Sequence, residues 1–185
     1  MITLYPTDTV YGLGVDATNV DAVLQLIALK GRDEKKPISI AVSDMAKARE
    51  YAHVTTLAEK LAAQFLPGKL TIVLTAKNNL PPQLTAGTGT VGIRIPNHPV
   101  PMMLVQKIGK PITATSANVA DMPTLSSVSE ILKQFGDRSA LIYHDSEWEQ
   151  ELPNSAPSTV VDARGSVPVI IREGAIPNEA ILEVL

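Results

Sequence analysis

Between residues 5 and 37 the chain reads YPTDTVYGLG, then a helical run, then KGRDEKKP. The first piece sets the hydroxyls of Thr7 and Thr9 among three turn points, Pro6, Gly12 and Gly14, just after a short apolar strand. Glycine has no Cβ, so backbone there can approach a ligand closely. The second piece gathers Lys30, Arg32, Lys35 and Lys36 just past a helix end. Such a cluster suits a phosphate or a carboxylate. It also has a purely structural reading, because cations near a helix C-terminus complement the dipole and glycine ends helices. Both readings stand at this point, and Asp33 and Glu34 offer local pairing for part of the charge.

Two more arginines sit where a charge needs a reason. Arg94 lies between Ile93 and Ile95 in the strand TVGIRI, and Arg172 ends the strand VPVIIR. A charge in an apolar strand is costly unless it is paired. Arg94 is therefore either a structural charge, in a buried ion pair or on an edge strand, or part of an open cavity wall, since its pleat neighbours Gly92 and Pro96 are small or rigid. Ser116, Ala117 and Asn118 follow the strand PITAT, at a strand end that can be a plain turn or a place where ligands collect. Thr9, Thr90, Thr124 and Ser158 are ambiguous taken singly. Residues 87–92 spell GTGTVG, which matches a dinucleotide fingerprint in letters alone: a loop precedes it and a strand follows, where the fingerprint needs a strand before it and a helix after. A tight turn feeding a strand is the better reading. His53, His98 and His144 lack metal-like spacing.

The elements that must position these groups are short. Apolar and β-branched runs predict strands over residues 2–5, 38–42, 70–75, 90–95, 111–115, 140–143, 159–161 and 167–172. Helical periodicity marks a helix from about residue 20, with Thr18 or Asn19 at its start and Gly31 at its end, and others over 44–52, 56–65, 100–108, 127–135 and 178–184. Ser127 and Glu130 form a capping box. Residues 7–14 read as a loop, and residues 144–158 as an acidic, mobile surface loop. Several connections are too short for a helical crossover, so part of the sheet must be antiparallel. The expectation is one α/β domain over residues 1–185, with a mixed, twisted open sheet.

Composition narrows the partners. The 185 residues carry a formal net charge of −3, so a protein gripping nucleic acid through many phosphates is disfavoured over one with a local basic site. There is no cysteine, which excludes disulfides and thiolate chemistry. No apolar run approaches the roughly 20 residues that span a bilayer, and no secretion signal is evident. A cytoplasmic location is expected.

The series YPTDTVYGLG, KGR followed by KP, PGKLTIVL, TVGIRIPNHP, PITATSAN, STVVD and IIREG resembles the YrdC-like threonylcarbamoyl-adenylate synthases across nearly the whole chain. The resemblance implies a twisted open α/β sheet with a large, basic concave cavity. It implies the joining of L-threonine, bicarbonate and ATP to give threonylcarbamoyl-AMP and pyrophosphate, for N6-threonylcarbamoyladenosine formation on tRNA. Carried over by motif, the catalytic KxR and SxN elements fall on Lys30, Arg32, Ser116 and Asn118. ATP contacts fall on Arg32, Lys36, Thr90, Ser116, Thr124 and Arg172, and threonine contacts on Thr9, Arg94, Ser158 and the backbone near Ala114. Ala41 stands near the position of a histidine that some longer relatives use for threonine. Relatives usually carry a helix before the first strand, and the long forms add a C-terminal domain. Mg2+ is expected to come with ATP, held by the nucleotide and water. Downstream threonylcarbamoyl transferase proteins and tRNA are the further partners implied. A second reading is an RNA-binding module that uses the same basic cavity without nucleotide chemistry.

Overall fold

The computed structural model describes residues 1–152 and 156–184. Ten strands form one mixed sheet: β1 (Ile2–Tyr5), β2 (Gly12–Gly14), β3 (Ser39–Ala41), β4 (Ala52–His53), β5 (Leu70–Ala76), β6 (Thr90–Arg94), β7 (Ile112–Ser116), β8 (Ile142–Tyr143), β9 (Thr159–Asp162) and β10 (Val169–Arg172). Their order is β10-β9-β5-β6-β3-β7-β2-β1-β8, with β4 paired beside β5. Parallel and antiparallel pairs are mixed, as the short connections require: β5 runs antiparallel to β6 and parallel to β9. The described residues also form seven α-helices: α1 (Val20–Lys30), α2 (Met45–Tyr51), α3 (Thr56–Phe65), α4 (Pro82–Thr85), α5 (Pro99–Ile108), α6 (Val128–Phe135) and α7 (Asn178–Leu182).

Local signals set these boundaries. Asn19, rather than Thr18, caps α1 by accepting from the amide of Ala22, and Gly31 ends the helix at φ 62°. Asp44 and Thr55 cap α2 and α3 in the same way. At the start of α6, Ser127 accepts from the amide of Glu130 and donates its hydroxyl to the Glu130 carboxylate.

Three expectations change. Residues 12–14 are a strand, not loop, because β2 pairs with β1 on one side and β7 on the other. Residues 140 and 141 end a 3-10 helix, and the strand is limited to Ile142–Tyr143. The segment after β8 is tied down: the Tyr11 hydroxyl donates to the Gln150 carbonyl at 2.7 Å and accepts from the Gln150 amide at 3.0 Å. The Leu152 amide donates to the Ser126 carbonyl, and Leu152 is buried. Residues 153–155 of that predicted loop lie outside the described residues.

Alternation along the strands sorts the two faces. Leu70, Ile72, Leu74, Val91, Ile93 and Val161 point into the main core, with Val23, Leu26, Ala48, Leu57 and Ile131 from α1, α2, α3 and α6. The other face carries a smaller cluster of Tyr5, Ala41, Leu104, Val105 and Ile112, where α5 packs against the sheet. A cavity opens on that same face.

Candidate active site

The cavity, about 330 Å³ in volume, lies over the second face of the sheet. Strand pairing lays its floor in files, since directly paired residues share a face. Arg172 is opposite Val160, and Val160 is opposite Thr71. Val73 faces Gly92, Ser39 faces Ala114, Ser116 faces Gly12, and Gly12 faces Tyr5. All ten of these line the cavity, with Arg32, Arg94, Thr7, Tyr11, Thr90 and Ser158. Three arginines and several hydroxyls line it, with no Asp or Glu among the lining residues, a chemistry that suits an anion.

Arg94 resolves its two readings by satisfying both. It is 8% exposed, lines the cavity, and donates from Nη2 to Asp8 Oδ1 and Thr9 Oγ1, each at 2.7 Å. Its Nε and the second oxygen of Asp8 are buried without a hydrogen-bond partner. Arg32 anchors its guanidinium on the carbonyls of Lys36 and Pro37, and Arg172 donates to the carbonyl of Ser158. Burial lowers both arginines from their ordinary values; for Arg172 the nearby charge of Arg94 adds to the effect. A bound anion would relieve that like-charge crowding.

Arg172 reaches the cavity through a bulge. Ile170 pairs with Val161 and packs on the main core, so strict alternation would send Arg172 to the core as well. The register shifts between Ile170 and Arg172, and the spare residue returns the arginine to the cavity face.

The glycines of the first motif also make room for a side chain. A Cβ on Gly12 would stand 2.8 Å from Tyr5 Cζ, and one on Gly14 2.8 Å from Tyr5 Cε1. Both glycines seat the Tyr5 ring, whose hydroxyl donates to the Thr113 carbonyl at 2.9 Å. The close approach is to a side chain of the cavity floor.

Among the sequence-predicted site residues, Arg32, Thr90, Arg94, Ala114, Ser116, Ser158 and Arg172 come together at the cavity. Thr9 sits behind Arg94 as its hydrogen-bond acceptor. Lys30, Lys36, Asn118 and Thr124 are not among the lining residues. Lys36 pairs with Asp121 at 3.6 Å, and Thr124 is exposed on the loop after β7. Ala41 pairs with Arg94 across β3 and β6, so it shares the cavity side of the sheet, packed under α5. Thr71, Ser39, Tyr11 and Asp8 were missed. Thr71, whose hydroxyl meets that of Ser158 at 2.9 Å, was readable from the alternation of LTIVLT.

A family model, Sua5/YciO/YrdC, described as "Telomere recombination", matches residues 1–174. The chain belongs to the Sua5/YciO/YrdC family. Within it, the chain is 33% identical over its full length to the threonylcarbamoyl-AMP synthase of Bacillus subtilis, of which it covers 53%. It is 34% identical, over its full length and 83% of the relative, to a putative threonylcarbamoyl-AMP synthase of Mycobacterium tuberculosis. The crystal structure of Pyrococcus abyssi Sua5 complexed with L-threonine superposes with a TM-score of 0.89 at 32% identity, covering 100% of this chain and 53% of that one. The chain thus spans about half the length of the first curated relatives it matches. Its single α/β domain with a mixed open sheet is the Sua5/YciO/YrdC fold.

Proposed function

We propose that this protein is an L-threonylcarbamoyladenylate synthase, which condenses L-threonine, bicarbonate and ATP into threonylcarbamoyl-AMP with release of pyrophosphate. The observation that carries the reading is the trio Arg32, Arg94 and Arg172 around one cavity, in a chain similar over its whole length to a protein crystallised with L-threonine. The amine of threonine must be neutral to take up the carbon of bicarbonate as a carbamate, with loss of water. The carbamate oxygen then attacks the α-phosphorus of ATP, and pyrophosphate leaves. Such chemistry asks the protein mainly for positioning and charge neutralisation. In this reading Arg32 and Arg172 face the phosphates, with Thr90 and Ser116 beside them, while Lys36 and Thr124 approach from the loops. Arg94 takes the α-carboxylate, and Thr9, Ser158 and the backbone near Ala114 complete the threonine end.

Mg2+ belongs with the triphosphate. A lining without Asp or Glu fits an ion held by phosphate oxygens and water. The product would pass to a protein that transfers the threonylcarbamoyl group to tRNA, in the cytoplasm. No described helix is long and apolar enough to cross a membrane.

The test is a reconstitution with ATP, threonine and bicarbonate, following pyrophosphate release and the mass of the adenylate. Product should require all three. Valine should be a poor substitute, because a site that pairs a hydroxyl is left with unmatched polar groups by the apolar isostere. ATP turnover independent of threonine, or equal use of valine, would overturn the assignment.

A further inference from the structure

We propose that Lys30 is a positioning residue: its buried ammonium clamps the turn of residues 116–118 and so sets where the Ser116 hydroxyl stands at the cavity, without touching a substrate. The inference rests on the function proposed above and deepens it.

Lys30 is 2% exposed and no salt bridge of the described residues includes it. A buried ammonium without a counter-ion is costly unless each of its N–H groups finds an acceptor. Lys30 Nζ has three: the Ser116 carbonyl at 2.5 Å, the Asn118 carbonyl at 2.6 Å and Asn118 Oδ1 at 3.4 Å. All belong to the turn that leaves β7. The latch is reciprocal, because the Lys30 carbonyl accepts from the Ala120 amide at 2.8 Å.

The turn then passes this constraint to the cavity. Asn118 Oδ1 also accepts the Ser116 hydroxyl at 2.6 Å, while Asn118 Nδ2 donates to the carbonyls of Val119 and Met122. Ser116 lines the cavity; Lys30 and Asn118 do not. The turn thus fixes both where the Ser116 oxygen stands and where its hydroxyl points. The lysine and the asparagine of the two motifs thus form one unit behind the wall. Four charged groups reach the same corner. Arg32 follows Lys30 by two residues and acts on its charge, Arg138 donates to the Leu29 carbonyl, and Asp121 in the latched loop pairs with Lys36.

The chain has no cysteine, so Lys30→Cys carries a single thiol. Alkylating it with bromoethylamine in urea, then refolding, rebuilds a lysine-length ammonium at that position; wild type taken through the same cycle is the control. Amide hydrogen exchange at Asn118 and Ala120 reads the turn, and pyrophosphate release reads the reaction. Lys30→Met should lose protection at both amides. Its rate should fall about ten- to hundredfold, the scale of a lost charge-assisted contact. Aminoethylation of Lys30→Cys should restore both. Adding Ser116→Ala to Lys30→Met should cost little further, since both act through one turn. Unchanged protection in a folded but inactive Lys30→Met, or fully additive losses, would place Lys30 on the substrate and overturn the proposal. A wild type that forms no adenylate would refute the functional reading, and the exchange data would still decide the clamp.

Discussion

Two buried cations of this molecule are satisfied in opposite ways, and they should fail in opposite ways. Arg94 has a carboxylate, Asp8, at 2.7 Å. Arg94→Leu would strand that carboxylate in the wall and should cost about 3–5 kcal/mol in urea unfolding. Arg94→Lys keeps a charge for Asp8 but loses the planar fork. It should fold with nearly normal melting and raise the threonine KM by about tenfold or more, with ATP affinity unchanged. Large destabilisation at unaltered threonine KM would make Arg94 structural only. Lys30 has carbonyls in place of a counter-ion, and burial, with the charge of Arg32 adding, lowers it from 10.5 to about 7. Between those values the unfolded chain holds the proton that the native state has released. The contribution of Lys30 to stability is therefore least favourable below pH 7 and improves as pH rises through that window. The clamp meanwhile loses one N–H. Wild-type stability should gain from this group above neutrality while activity declines, and Lys30→Met should lack the gain. Parallel stability profiles for the two proteins would contradict this.

At the scale of elements, the cavity depends on where strands pair and on what small residues make room for. β10 carries its arginine to the cavity only because its register slips by one residue against β9. β1 and β2 hold the Tyr5 ring only because Gly12 and Gly14 lie under it. Gly12→Ala would drive a methyl group into a ring that its own hydroxyl pins to the Thr113 carbonyl. The expected loss is about 1–3 kcal/mol, typical of overpacking. Tyr5→Leu in the same chain should recover part of it, because the ring is then gone. An unchanged urea midpoint for Gly12→Ala would show that the ring moves freely.

Across the whole molecule, the segment after β8 links distant parts of the chain around the cavity. Tyr11 holds Gln150 from 139 positions away, Gln150 Nε2 meets His98 Nε2 at 2.9 Å, and Trp148 packs on the cluster under α5. Tyr11→Phe removes both hydrogen bonds to Gln150 and leaves the main core intact. Residues 146–152 should then exchange amide protons faster and be cut sooner by protease, with only a small change in melting temperature. Unaltered exchange in that segment would mean that the packing of Trp148 and Leu152 suffices to hold it.

Much of this protein was legible without coordinates. The helix at residues 20–30 announced itself through spacing, Asn19 and Gly31, because caps and periodicity are local properties. The strands at 70–76 and 90–94 were readable for the same reason, and the motif order pointed to the family. The sequence could not say which face each side chain would take, since register belongs to a pair of strands and one slipped residue reverses it. It placed Arg172 at a strand end; the bulge decided that it faces the cavity. It placed Lys30 in a cationic cluster; only the approach of residues 86 and 88 positions later buried that lysine and gave it three acceptors. It left Arg94 between an ion pair and a cavity wall, and folding made it both, because Asp8 arrives on a loop whose position the strand pattern does not encode.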